Sequence, residues 1–171
     1  MLVPFAEKEF LMKDIFYIHT SAKKFNANEV KFGGLYPYVA RGSSNNGIRG
    51  YITEDIKYLN PGKTFSFGQD TATVYYQENS YFTGDKIKIV ELRNHELTEQ
   101  LALYLIPVIR KAFSNFAWGQ SSFNEDVLNN IKIILPVTSD NVPDWDYMQK
   151  YVAEIELKII ENLEEQLTTL L

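Results

Sequence analysis

Gly33-Gly34-Leu35-Tyr36-Pro37-Tyr38-Val39-Ala40-Arg41-Gly42-Ser43-Ser44-Asn45-Asn46-Gly47-Ile48-Arg49-Gly50-Tyr51 falls into three parts. An apolar run from Leu35 to Ala40 stops at a polar segment, Arg41 to Asn46, and alternation resumes at Ile48-Arg49-Gly50-Tyr51-Ile52. That pattern reads as strand, loop, strand. Arg41, Ser43, Ser44, Asn45 and Asn46, with Arg49 just beyond, offer the donors and acceptors that reach phosphates and base edges. The loop has no carboxylate of its own. Asn46-Gly47 is equally a signal for a tight hairpin turn, because Asn and Gly accept positive φ. A turn alone and a turn that also recognises DNA both satisfy these residue types.

The flanking sequence continues in short segments. Phe10 to Ile15 reads as a short helix or turn, followed by a strand through Phe16–His19, and Thr20 to Asn28 reads as a loop. Asn60-Pro61-Gly62-Lys63 is a turn. Thr64 to Phe67, Thr71 to Gln77 and Lys86 to Leu92 are short β-branched and aromatic runs separated by turn residues, which suggests a mostly antiparallel β body or partial barrel. From Thr98 the period becomes helical through Phe113. That helix ends on Arg110 and Lys111, where cations suit its dipole. The break at Trp118-Gly119-Gln120 brings a basic helix end to a polar loop, making Lys111, Gln120 and Ser121 further candidates for DNA contact. Trp118 is assigned to the core. Ser122 followed by Glu125 has the capping-box form and predicts a short helix through Asn130. Ile131 to Leu135 reads as a buried strand ended by Pro136.

The last segment, 144–171, contains no Gly or Pro. Met148, Val152, Ile155, Ile159, Leu163, Leu167 and Leu170 recur every three or four residues, close to a heptad. Glu154, Glu156, Glu161, Glu164 and Glu165 lie beside them. The stripe reaches further than a small β body can cover, so a helix that pairs with another helix is expected. The fold class is therefore α+β: a mostly antiparallel β body with helices over 1–143, then a long C-terminal helix over 144–171.

A chain of 171 residues can bury one sizeable core. The net charge of −5 argues against nucleic acid until its distribution is considered. Residues 1–120 carry 14 Lys/Arg against 12 Asp/Glu, whereas residues 121–171 carry 3 against 10. Residues 20–63, around the opening stretch, carry 7 against 3, which permits a local basic face on an acidic protein. The absence of cysteine removes disulfides, thiolate metal sites and thiol nucleophiles. No apolar run is long enough to span a bilayer, and the N-terminus lacks a signal-peptide pattern. The expectation is a cytoplasmic protein with no membrane partner.

Catalytic chemistry is sparse. His19 and His95 have no metal-ligand spacing, so no metal, cofactor or catalytic residue is assigned. The glycine-rich segments fit neither a phosphate loop nor a dinucleotide fingerprint, and no Asn-Pro-Pro-aromatic methyltransferase motif is present. Pro143-Asp144 with Glu156-Leu157-Lys158 formally matches a loose PD…ExK nuclease pattern. Its ExK lies in a helical run, where residues two apart face away from each other.

In order and spacing, these segments resemble the target-recognition domain of type I restriction–modification specificity (S, or HsdS) subunits. Gly34 to Tyr51 is similar to the family's most specific block. Phe10 to Phe16 resembles its entry segment. Thr73-Val74 with Gln77 and Phe82 resembles its central strands, and Leu103 to Phe116 its helix. Ile133 to Val137 with Asp144 to Met148 resembles its closing block. The resemblance implies a non-enzymatic reader of one half of a split site in double-stranded DNA, docking methyltransferase and restriction subunits that supply the chemistry. The family usually carries two such domains, each followed by a long helix, and the two helices pack antiparallel. This chain departs from that pattern with one domain and one helix, which fits a half-subunit that forms a homodimer through the helix, a truncated gene, or the relative fused to some type II enzymes. Two rival classes remain: a protein-interaction module working through that helix, and a stand-alone nuclease.

Overall fold

The computed structural model describes residues 3, 4, 6–114 and 124–170. The elements in chain order are β1 (Ala6–Leu11), α1 (Met12–Ile15), β2 (Phe16–Thr20), β3 (Phe32–Val39), β4 (Ile48–Ile52), β5 (Thr64–Gly68), β6 (Thr73–Gln77), β7 (Phe82–Thr83), β8 (Ile87–Leu92), α2 (Glu99–Ser114), α3 (Glu125–Asn129), β9 (Lys132–Val137) and α4 (Trp145–Leu170).

The middle layer is a four-stranded antiparallel sheet in the order β2-β8-β5-β6. Alternation along its strands gives it two buried faces. Phe65, Phe67, Val74 and Val90 point to one side and pack with Leu101, Leu105, Ile109 and Phe113 of α2. Phe16 meets Phe65 edge-on at 6.1 Å between ring centroids, a favoured aromatic geometry. On the other side, Ile87 and Ile89 pack with Val39 and Tyr81, joining the middle sheet to a second sheet, β4-β3-β7. That second sheet holds its own cluster of Phe25, Tyr38, Ile52 and Phe82. The result is helix, sheet, sheet, with the β3–β4 hairpin as the outer layer. The α+β class holds, and every strand pair among the described residues is antiparallel except β3–β7.

Several boundaries differ from the sequence reading. β1 was not expected, because Ala6-Glu7-Lys8-Glu9 lacks β-branched residues and is exposed; it is a strand because it pairs antiparallel with β9 over its whole length. Pro136 does not end β9 but lies within it, opposite Glu7. The Pro136 carbonyl accepts from the Asp144 N–H at 2.9 Å on the side away from β1, and the missing N–H faces that same side, so no bond between β1 and β9 is lost. The cap of α3 is Asn124, whose side chain accepts from the Val127 N–H at 2.9 Å, rather than a serine. Gln120, Ser121 and Trp118 lie outside the described residues.

α4 is a single helix of 26 residues. Asp144 caps it, its carboxylate accepting from the Tyr147 N–H at 2.9 Å. The stripe assigned to a partner helix does not behave as one unit. Met148 is 0% exposed and belongs to the main core, and Val152 is 8% exposed. These two are corrected from partner contacts to burial within the domain: Met148 sits in the cluster with Leu101 and Leu105 of α2, and Val152 is buried one turn further along α4, which packs on α2. From Ile155 onward the stripe is open: Ile159 and Leu163 are each 53% exposed, Leu167 62% and Leu170 84%. No helix of the described residues is long and apolar enough to cross a membrane.

Candidate nucleic-acid interface

The Arg41–Gly47 loop closes β3 onto β4 through three consecutive left-handed residues, Asn45 (φ 49°), Asn46 (φ 50°) and Gly47 (φ 73°). Asn and Gly tolerate this region best, so the Asn-Asn-Gly sequence is the local cause of the turn. The Ala40 N–H donates to the Gly47 carbonyl at 2.9 Å, and the Gly47 N–H to the Ser44 carbonyl at 2.9 Å. Gly47 is also tight for space, since a Cβ there would lie 3.2 Å from the Ala40 carbonyl and 3.3 Å from the Tyr75 ring. The Asn45 amide donates to the Ile48 carbonyl at 3.0 Å, locking the loop onto the start of β4.

The loop is held from below by a residue that sequence reading did not select for DNA. Gln77, buried at the end of β6, donates from Nε2 to the Asn46 carbonyl at 2.8 Å and to Ser66 Oγ at 3.0 Å. Its amide ties the loop tip to the middle sheet. Nearby, the Arg110 guanidinium lies 5.9 Å from the Tyr75 ring centroid and donates to the Val74 carbonyl at 3.1 Å, so α2 braces the same strand.

Two further turns converge on the loop. The Gly84 N–H donates to the Val39 carbonyl at 2.8 Å, and the Gln69 N–H to the Lys86 carbonyl at 3.0 Å. The β5–β6 and β7–β8 turns therefore stand beside the end of β3. Between Arg41 and Arg49 on one wall and Lys24 and Asp85 on the other lies an open cleft of about 480 Å³. Its floor is Tyr38, whose hydroxyl donates to the Phe25 carbonyl at 2.7 Å. Burial raises the Tyr38 phenol above its ordinary range, opposed by the nearby Arg49 guanidinium. Tyr38 thus stays a neutral donor.

Arg41, Ser43, Ser44, Asn45, Asn46 and Arg49 are all exposed; Arg41 and Arg49 line this cleft, and the other four lie on the loop between them without lining it. The loop without a carboxylate does receive one in space. Arg41 Nη1 is 2.5 Å from Asp70 Oδ2, and Lys86 Nζ is 2.9 Å from the same oxygen. Hydrogen bonding from Lys86, then from Arg41, holds the Asp70 carboxyl below the usual carboxylate range. Lys24 does the same for Asp85 across 3.3 Å. Arg49 has no carboxylate partner among the described residues. Lys111 is not brought to this cleft. It lines a separate groove with Glu7, Tyr104, Val108 and Lys132, between α2 and β9.

Lys24, Asp70, Gln77, Asp85 and Lys86 are the contributors that sequence reading missed. Lys24 carried a signal as part of the basic window 20–63, and Gln77 only as part of the strand block in the family resemblance. The others reach the site through turns whose convergence no local pattern records.

No group of three or more His, Cys, Asp or Glu side chains suited to a metal occurs among the described residues. The PD…ExK pattern is dismantled by the fold. Asp144 caps α4, Glu156 stands twelve residues along the helix, roughly 18 Å away at 1.5 Å per residue, and Lys158 pairs with Glu154 at 2.9 Å. What the site offers is a set of cations with amide and hydroxyl groups around an open cleft, the donor types that meet a polyanion.

A family model described as "Type I restriction modification DNA specificity domain" matches residues 7–165. The chain is 30% identical over 159 residues to "Type II restriction enzyme BgcI specificity subunit S.BcgI" of Heyndrickxia coagulans, covering 91% of this chain and 44% of that protein. Among solved structures, it is similar to the type I restriction-modification S subunit from M. genitalium, with a TM-score of 0.60 at 16% identity, covering 93% of this chain and 41% of that one. It is also similar to the HsdS subunit from Thermoanaerobacter tengcongensis, with a TM-score of 0.61 at 11% identity, covering 97% and 41%. The chain spans less than half the length of each. At these identities the structural likeness speaks for the fold, including the long helix that follows the mixed domain.

Proposed function

The chain belongs to the family of type I restriction modification DNA specificity domains, and we propose that it reads one half of a split site in double-stranded DNA. It does so as a non-enzymatic specificity component of a restriction–modification system in the cytoplasm. The observation that carries the reading is the convergence of Arg41, Arg49 and Lys24 on one cleft, with the exposed Asn45-Asn46 turn in the same hairpin as the two arginines. An arginine fork matches the O6 and N7 acceptors of guanine, and an asparagine amide matches the N6 and N7 edge of adenine.

Methyltransferase and restriction subunits supply the chemistry in this reading. The recognition domain, 1–143, and the helix, 144–171, divide the labour. The open stripe of α4 pairs antiparallel with the same helix of a second copy, a self-complementary arrangement that closes by a two-fold axis. Two domains then stand at opposite ends of a spacer and read an interrupted, symmetric site. The open stretch from Ile155 to Leu170 spans about 24 Å at 1.5 Å per residue, or about seven base pairs at 3.4 Å each.

The deciding experiment is co-expression with its methyltransferase, followed by mapping of methylated positions. The expected result is methylation at a bipartite symmetric site. Arg49→Ala should relax or abolish one specified position in each half. A methylation pattern unchanged in both Arg41→Ala and Arg49→Ala would remove this cleft as the reading surface.

A further inference from the structure

The contacts of Arg41 differ from those of Arg49 in a way that DNA reading alone does not require. Asp70 sits at the tip of the β5–β6 turn, 29 residues from Arg41 and 16 from Lys86. One of its oxygens, Oδ2, takes both cations. The turn is built to hold it there. The Thr71 N–H returns to the Gly68 carbonyl at 3.3 Å, Ala72 adopts a left-handed φ of 49°, and the neighbouring Gln69 N–H is anchored on Lys86.

We propose that Asp70 stands in for a DNA phosphate, occupying Arg41 and Lys86 in the free protein and withholding both cations from DNA that is not the target. The proposal rests on the DNA-reading function argued above. A single anionic oxygen bridging a guanidinium and an ammonium is the arrangement that a non-bridging phosphodiester oxygen makes with the same pair. The exchange is isoelectric for the cations, since one negative oxygen leaves as another arrives. It is costly for Asp70, whose carboxylate is left beside the phosphate that displaced it.

The setting is suited to exchange rather than to structure. All three side chains are partly open to solvent, 44% for Arg41, 32% for Asp70 and 48% for Lys86. An ion pair so exposed contributes little to folding, and solvent access leaves room for a phosphate to approach. Arg49, which lines the same cleft, carries no such carboxylate among the described residues. One arginine is therefore ready to probe base edges while the other is released only when the fit repays the loss of Asp70. On random duplex Arg41 and Lys86 remain on Asp70, so sequence-independent affinity is held down.

The test is the salt dependence of binding to random duplex DNA, measured by fluorescence anisotropy with the full chain and its Asp70→Asn variant. Each phosphate neutralised steepens the log–log slope by about 0.9. The variant is expected to show a slope steeper by about 0.9 to 1.8 and an affinity at low salt at least about tenfold higher. Adding Arg41→Ala to Asp70→Asn should return the slope towards that of the intact chain. Asp70→Ser provides a second variant should the amide disturb the turn. Equal slopes for the intact chain and both Asp70 variants, with binding retained, would overturn the role of Asp70 while leaving DNA reading in place. No binding of any duplex by intact chain or variants at low salt would overturn both.

Discussion

Replacing Leu163 and Leu167 of α4 by glutamate should make the protein monomeric without unfolding it. Both side chains are more than half exposed in the single chain, so neither contributes to its core. In an antiparallel two-fold pair each occurs twice, and the double substitution removes four buried leucines. At about 1.5–3 kcal/mol for each fully buried side chain, that is roughly 6–12 kcal/mol, an upper bound because interface burial is incomplete. Even a quarter of the lower figure is a loss of about tenfold in association. The added carboxylates would also face Glu161, Glu164 and Glu165 on the partner. Light scattering should give a dimer mass for the intact chain at tens of micromolar and a monomer mass for the variant. Far-ultraviolet circular dichroism should show the β body retained. Met148→Ala is the counter-experiment. That side chain is fully buried in the domain, so its truncation should cost about 2–5 kcal/mol of stability. An intact chain that is monomeric at these concentrations, or a variant whose mass does not change, would refute the pairing of like helices.

Arg49→Ala should leave thermal stability within about 0.5 kcal/mol, as a surface change does, yet cost about 1–3 kcal/mol of discrimination at one base position, read by competition binding with single-base variants of the site. Equal affinity for all variants with both proteins would show that Arg49 reads nothing. Gln77→Leu should lower unfolding free energy in urea by about 1–3 kcal/mol, because Ser66 and the Asn46 carbonyl lose a buried donor; an unchanged midpoint would show that the loop tip needs no tether. The Asp70 carboxyl, held low mainly by Lys86 and then by Arg41, should titrate below the ordinary value of about 3.9 when followed by carbon NMR. Because its folded pKa is depressed, its contribution is present above the unfolded value and is lost only as pH falls through the folded one. A midpoint at or above the ordinary value would mean that the cluster does not form in solution.

The hairpin around Asn45-Asn46-Gly47 was legible because local chemistry dictates it: left-handed backbone, small polar residues, apolar strands on both sides. The helical periods of α2 and α4 were legible for the same reason. β1 was not, because nothing in Ala6-Glu7-Lys8-Glu9 prefers a strand; its conformation is imposed by β9, about 130 residues away. Pro136 misled in the opposite direction. A missing N–H breaks a central strand but removes no rung of the β1–β9 pair where it faces away from β1. The cluster of Arg41, Asp70 and Lys86 was invisible for a related reason. Counting charge along the chain finds the cations near the loop, but the carboxylate that neutralises one of them arrives on a different hairpin.

The stripe on α4 shows where periodicity stops being informative and what the fold adds. An apolar repeat says that a face is to be covered, not by what. Met148 to Leu170 reads as one continuous face, yet its cover changes partway, from α2 to open solvent. The buried portion is not wasted on the spacer. Trp145 stacks on His95 at 5.4 Å, Thr98 Oγ1 donates to Gln149 Oε1 at 3.0 Å, and Tyr151 meets Tyr104 edge-on at 5.7 Å. These contacts follow one another along the first two turns and, with Met148 and Val152, set the angle at which the helix leaves the domain. Since Arg110 of α2 also braces β6, and Gln77 of β6 holds the loop tip, the same helix on which α4 packs supports the Asn45-Asn46 loop. The orientation of α4 is thereby tied to the orientation of the cleft. In the proposed dimer a helix joined this way would act as a rod rather than a tether, as the proposed reading of two half-sites at one fixed separation requires.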